Sequence, residues 1–203
     1  MNEIVGQYTQ RFNLVLTRLD RRLREFLDST FESLDCVCKL STRPKRIDSF
    51  VKKSEAINED GNFKYTDPLS EIQDQLGALI VTRFLSDLSV VEKVVTNTFR
   101  GIEQQRKEPE SEYEFGYFGR HFVLFLPSDI TSEFEEDDIP QFFELQIKTL
   151  FQYAWSETNH AIGYKRRNEL TFEQRRLTAY VAAQAWGADQ AVDDLRRAVE
   201  TTT

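Results

Sequence analysis

Two carboxylates stand in apolar surroundings in this 203-residue sequence: Asp74, just before the run GALIVTRF, and Glu144, inside FFELQIKT. A charged carboxylate at the end of a buried strand is costly unless it is paired or bound to a metal. Delivered from adjacent strands, two such groups can hold one Mg²⁺ and leave room for phosphate oxygens and water, which is how charge is neutralised in phosphoryl transfer. Pairing of each acid with an arginine or lysine is the structural alternative, and the interval between the two does not decide. Arg43, Lys45, Ser49 and Lys53 form a basic cluster, offset by two, six and ten residues across a loop-to-helix junction. A helix N-terminus flanked by fixed cations suits a triphosphate, whose oxygens can meet backbone N–H groups and cations together. A solvated basic face would have the same composition.

Two further segments carry groups of this kind. In EFGYFGRHF, Gly116 and Gly119 surround Tyr117, whose ring can stack on a base, while His121 can contact phosphate. A core aromatic and a satisfied histidine are the bland alternative. After Glu144, the residues Tyr153, Glu157, His160 and Tyr164 are spaced four, three and four, which puts them on one helix face, with Phe151, Ala154, Trp155 and Ile162 on the other. A polar, aromatic-lined face beside a carboxylate-bearing strand reads as a site wall.

The elements that must position these residues follow from periodicity. Apolar residues from Ile4 to Leu27 recur at intervals of three and four, so residues 3–32 read as one amphipathic helix whose other face carries Arg18, Arg21, Arg22 and Arg24. A strand is expected near 35–42, placing Cys36 and Cys38 on one face as two reduced thiols. Pro44 then delays the next helix until Asp48 or Ser49 can cap it, so Arg43 and Lys45 fall on a loop and Lys53 on a helix. Residues 69–75 read as a short helix, GALIVTRF as a buried central strand, and 87–100 as a helix stopped by Gly101. GIEQQR begins an edge strand and HFVLFLP is another strand. SDITSEFEEDDIP is an acidic loop, FFELQIKTL a strand running into a helix, and 171–200 one or two helices. The expected class is α+β, a mixed five-stranded sheet flanked by helices.

Composition narrows the function. Asp and Glu number 34 against 26 Lys and Arg, for a formal net charge of −8, so the whole surface is not a nucleic-acid binder and any anionic substrate must be held by a few placed cations. No run approaches the roughly 18 apolar residues that span a bilayer, and no leader pattern opens the chain, so a soluble cytoplasmic protein is expected. With only two cysteines and two histidines, a zinc site is disfavoured.

In this order, the segments resemble the synthetase domain of the RelA/SpoT alarmone family, over about residues 35–166. Arg43, Lys45, Ser49 and Lys53 match its ATP-binding motif position by position. DQLGALI resembles its D-x-x-G-x-R-I strand, GYFGRH its G-Y-x-S-x-H, and FELQIKTLFQYAWSETNHAIGYK its E-x-Q-x-R-T followed by the W-x-E-x-x-H helix. The resemblance implies a nucleotidyltransferase-like fold and one synthetase domain over 1–203, without the family's hydrolase domain. It further implies a Mg²⁺-dependent pyrophosphokinase that moves pyrophosphate from ATP to the 3′-hydroxyl of GDP or GTP. Asp74 and Glu144 would coordinate Mg²⁺, with Glu144, Asp74 and His121 catalytic. Arg43, Lys45, Ser49 and Lys53 would bind ATP, and Tyr117, Gln146, Lys148 and His160 would bind the acceptor.

Leu79, Gly119, Arg120 and Lys148 depart from the family's usual arginine, serine, apolar residue and arginine. Tyr113 and Phe115 stand where many relatives carry polar acceptor-binding residues. The acceptor is therefore open among GDP, GTP, ADP and, in a toxic relative, the 3′-end of tRNA, against which Arg18 to Arg24 and Lys165, Arg166 and Arg167 could lie. A catalytically weakened nucleotide- or partner-binding module is the remaining alternative. The terminal helices permit a homo-oligomer or a monomer held by an antitoxin.

Overall fold

The computed structural model describes residues 2–106, 117, 119–135, 138–163 and 170–201. The chain forms five strands: β1 (Val37–Pro44), β2 (Leu76–Thr82), β3 (Gly101–Arg106), β4 (Arg120–Phe125) and β5 (Phe142–Thr149). They form one mixed sheet in the order β1-β2-β5-β4-β3, with β2 and β5 parallel and the other neighbours antiparallel. Period two then separates the sheet's faces. Ala78 and Ile80 of β2, Leu145 and Ile147 of β5 and Phe122 and Leu124 of β4 enter the main core. Gly77 and Leu79, Glu144 and Gln146, and His121 take the opposite face, across which Gly77 pairs with Glu144 and Gln146 lies between Leu79 and His121.

The covered face is closed by the N-terminal helix and by α5 (Leu85–Thr98), through Leu19, Leu23, Leu27, Leu88, Val91 and Val95. The N-terminal helix runs as α1 (Asn2–Arg11) and α2 (Thr17–Phe31), joined through one π-helical stretch, Phe12–Leu16, that re-phases its apolar stripe. Short helices α3 (Ile47–Ser54), α4 (Pro68–Glu71) and α6 (Ser128–Thr131) fill the connections. Beyond β5 come α7 (Leu150–Gly163) and the 29-residue α8 (Phe172–Glu200). Thr171 and Gln174 cap α8 reciprocally, the Gln174 N–H donating to the Thr171 hydroxyl while the Thr171 N–H donates to the Gln174 amide oxygen.

The mixed five-stranded sheet is as expected, and helix α6 falls within the segment read as an acidic loop; three further local expectations are not met. Arg43 lies on β1, paired with Gly77, because this edge strand runs on to Pro44, where a missing N–H costs no ladder bond. Asp48 is not the residue that precedes α3; it sits in the first turn, and its carboxylate accepts the Ser49 N–H at 2.9 Å. The two cysteines do not share a strand face, since Cys36 precedes β1 and the ladder is interrupted between Val37 and Lys39. Both remain free thiols.

Candidate active site

Asp74 is held at the mouth of β2 by a 3-10 turn, Gln73–Gln75, and each of its oxygens faces an ammonium group. Lys45 Nζ donates to Oδ2 at 2.8 Å, and Lys53 Nζ lies 3.0 Å from Oδ1. The second contact is an ion pair by distance, without hydrogen-bond alignment, so the buried Oδ1 retains unmatched lone pairs. The Lys45 loop is pinned on both sides. Its N–H donates to the Gln75 carbonyl at 2.8 Å, and its carbonyl accepts the Tyr8 hydroxyl at 2.7 Å. Tyr8 is fully buried and stacks on Phe50 of α3, so the N-terminal helix fixes the backbone on which this cation stands.

Glu144 is the neighbouring acid. Its Oε1 is 3.0 Å from His121 Nδ1 and its Oε2 accepts the Gln146 amide at 3.1 Å. Burial opposes its charge, but the His121 and Gln146 hydrogen bonds and the positive charges of His121 and Lys53 prevail, holding the carboxyl down to about 2. Lys53 thus acts on both acids. The donor chemistry fits a hard divalent cation, because two carboxylates from neighbouring chain segments are poised here and Asp74 Oδ1 has lone pairs to give.

Lys148 is buried, 8% exposed, with Nζ donating to Ser156 Oγ of α7 at 3.1 Å. His160 stands on α7 near it; burial, and then the charges of Lys148 and Arg43, push its imidazole below the ordinary value. Arg43 and Ser49 are exposed at the rim. Tyr153 meets a cation that sequence reasoning passed over: Lys39 Nζ lies 4.2 Å from its ring centroid and donates to its hydroxyl. Period two could have found Lys39, which shares a strand face with Ser41 and Arg43. Tyr164 and Gly116 lie outside the described residues, as do Tyr113, Phe115, Lys165, Arg166 and Arg167.

Tyr117 lies against the C-terminal helix α8. It is 8% exposed, packs with Trp155 and Ala182, and donates its hydroxyl to Asp189 of α8. On the helix face opposite Tyr153, Trp155 is buried, whereas Ile162 is 68% exposed. The arginines of the N-terminal helix are largely engaged by acids: Arg22 and, at 4.0 Å, Arg18 meet Glu133, and Arg24 meets Asp28 at 2.7 Å.

The chain is similar to known proteins in both sequence and fold. Residues 42–169 match the model described as the region found in RelA / SpoT proteins, which is more than half of the chain. The chain belongs to the RelA/SpoT family. It is 25% identical over 138 residues to the GTP pyrophosphokinase YjbM of Bacillus subtilis (strain 168), a match covering 66% of this chain and 63% of that protein. The chain thus aligns with less than two thirds of that relative's length.

In fold the chain is similar to small alarmone synthetase 1 from Bacillus subtilis, with TM-score 0.72, 18% identity and 97% of each chain covered. The same synthetase bound to its product pppGpp gives 0.75 and 19%, over 95% of this chain and 98% of that one. A GTP pyrophosphokinase family protein from Streptococcus pneumoniae gives 0.67 and 18%, over 99% and 95%.

Against the RelA/SpoT pattern, two departures have structural causes. Gly119 has no room for a side chain, because a Cβ there would collide with the Ile147 carbonyl and the Lys148 stem. Arg120 ion-pairs with Glu92 of α5, so it is matched within the fold. Leu79 lies in register with Ser41 and Gln146 on the open face; nothing in the structure explains its choice.

Proposed function

We propose that the chain, acting as one synthetase unit over residues 1–203, transfers the β,γ-pyrophosphate of ATP to the ribose 3′-hydroxyl of GDP or GTP, releasing AMP. The observation that carries this is the paired-acid cluster on the open face: Asp74 and Glu144 surrounded by Lys45, Lys53 and His121, in a protein of net charge −8. Family membership and the printed activity of YjbM support it. Mg²⁺ held by Asp74 and Glu144 would neutralise the phosphate charge when bound.

The remaining work falls to the chain. Lys45, Lys53 and Arg43, with Ser49 at the rim, hold the triphosphate and leave the β-phosphorus open to in-line attack. Gln146, Lys148 and His160 line the acceptor side. Glu144, ionised throughout the neutral range, accepts a hydrogen bond from the 3′-hydroxyl and orients it. As the 3′-oxygen bonds to the β-phosphorus, the bond from that phosphorus to the α,β-bridging oxygen breaks, and this oxygen departs with the electron pair as part of AMP. The hydroxyl proton is taken up by the Glu144 carboxylate, which His121 Nδ1, 3.0 Å away, holds in place.

The test is AMP release from ATP with and without GDP or GTP, in Mg²⁺ and in chelator. Release that depends on both acceptor and Mg²⁺ is expected. Simple ATP hydrolysis, indifferent to acceptor, would refute the proposal.

A further inference from the structure

Helix α8 docks through acids. Its buried residues are Ala182, Asp189 and Asp193, whereas Leu177, Tyr180, Leu195 and Val199 are each at least 60% exposed. Burying a carboxylate is expensive, so each acid must be matched by what it holds. Asp193 is accounted for, since its Oδ1 accepts the N–H and hydroxyl of Ser86, at 2.9 and 2.7 Å, at the start of α5, and its Oδ2 pairs with Arg197.

Asp189, 1% exposed, differs: one oxygen, Oδ2, accepts the hydroxyls of both Tyr117 and Thr149, while the buried Oδ1 has no hydrogen-bond partner among the described residues. Thr149 ends β5 and caps α7. Its hydroxyl accepts the Gln152 N–H at 3.1 Å, and its own N–H donates to the Gln152 amide oxygen at 3.0 Å. Tyr117 leads into β4 and His121. A single carboxylate oxygen therefore ties the origin of the helix bearing Tyr153, Ser156 and His160 to the segment that delivers His121. A helix meant only to dock would be held at less cost by an apolar side chain; the acid adds a two-donor junction.

We propose that Asp189 is a positioning residue for the acceptor half of the site, joining α8 to Tyr117 and to the α7 cap; this rests on the pyrophosphokinase reading. Tyr117 is then held through its hydroxyl. The junction depends on an accepting oxygen, which Asp189→Asn keeps and Asp189→Leu removes.

The experiment measures KM for ATP and for GTP separately in Asp189→Leu, Asp189→Asn, Tyr117→Phe and the Leu/Phe double variant. Losing the junction is expected to raise the GTP KM about fivefold to tenfold in Asp189→Leu, and somewhat less in Tyr117→Phe. The ATP KM should change by less than about twofold, Asp189→Asn should be largely rescued, and the double variant should be no worse than Asp189→Leu, as for a shared interaction. Equal rises for both substrates, no rise, or multiplying effects would overturn the proposal.

If the unmodified chain makes no product from GDP or GTP, the function reading has failed. The junction is then read without turnover, from Trp155 emission in a Trp186→Phe background, these being the only two tryptophans. Trp155 packs beside Tyr117, so Asp189→Leu should red-shift its emission and Asp189→Asn should not. Identical spectra would overturn the junction too.

Discussion

Glu144 and Leu145 are chain neighbours on one strand, yet they belong to two regions built under opposite rules. Leu145 is fully buried against the N-terminal helix and α5, on a face where burial of hydrocarbon supplies the stability. Glu144 faces the other way, into a layer where each acid is balanced by a nearby donor or cation. The first region tolerates only shape; the second only charge and hydrogen bonding. Stability and chemistry are thus carried by alternate residues of the same strand, and they should be separable by mutation.

The largest expected effect is on the open face. Glu144→Ala should lower acceptor-dependent AMP formation by at least about a thousandfold, from loss of metal binding and hydroxyl orientation together, while its circular dichroism stays native. On the covered face, Leu145→Ala should cost about 3 kcal/mol in denaturant unfolding, with the ATP KM of the folded fraction unchanged. Gly119→Ala tests the seam between the faces: displacing the Ile147 carbonyl or the Lys148 stem should cost about 2 kcal/mol. Lys45→Met should raise the ATP KM about tenfold with a smaller change in kcat, as read from initial rates, and a larger loss of stability than of affinity would break the division between faces.

The smallest effect is on pH dependence. Glu144 is held at about 2 in the folded protein against an ordinary value of 4.5, so its contribution to stability is complete above about pH 4.5 and is lost as pH falls toward 2. Glu144→Gln should flatten that part of the curve in denaturant titrations at a series of acidic pH values.

The covered face was legible in the sequence because period-two and period-3.6 apolar patterns are local. So were the N-terminal helix, the GALIVTRF strand and the acids Asp74 and Glu144, whose apolar neighbours made them conspicuous. The end of β1 was misjudged because Pro44 reads as a breaker unless the strand is known to be an edge. Lys39 escaped notice since one exposed lysine on a strand carries no signal until Tyr153 is folded against it. Tyr117 and Asp189 were the least legible: the buried junction joins side chains 72 residues apart, and on an outwardly apolar helix Asp189 resembles any surface acid.

The most direct test of the account follows the transferred group itself. ATP labelled at the β-phosphorus is incubated with the protein and Mg²⁺ and, in separate reactions, GDP, GTP, ADP or deacylated tRNA, and the label is located in the separated products. Label on the 3′-position of the guanosine nucleotide, with one AMP formed per group transferred, is the expected result. Label confined to tRNA, to the adenosine acceptor or to free phosphate would contradict it.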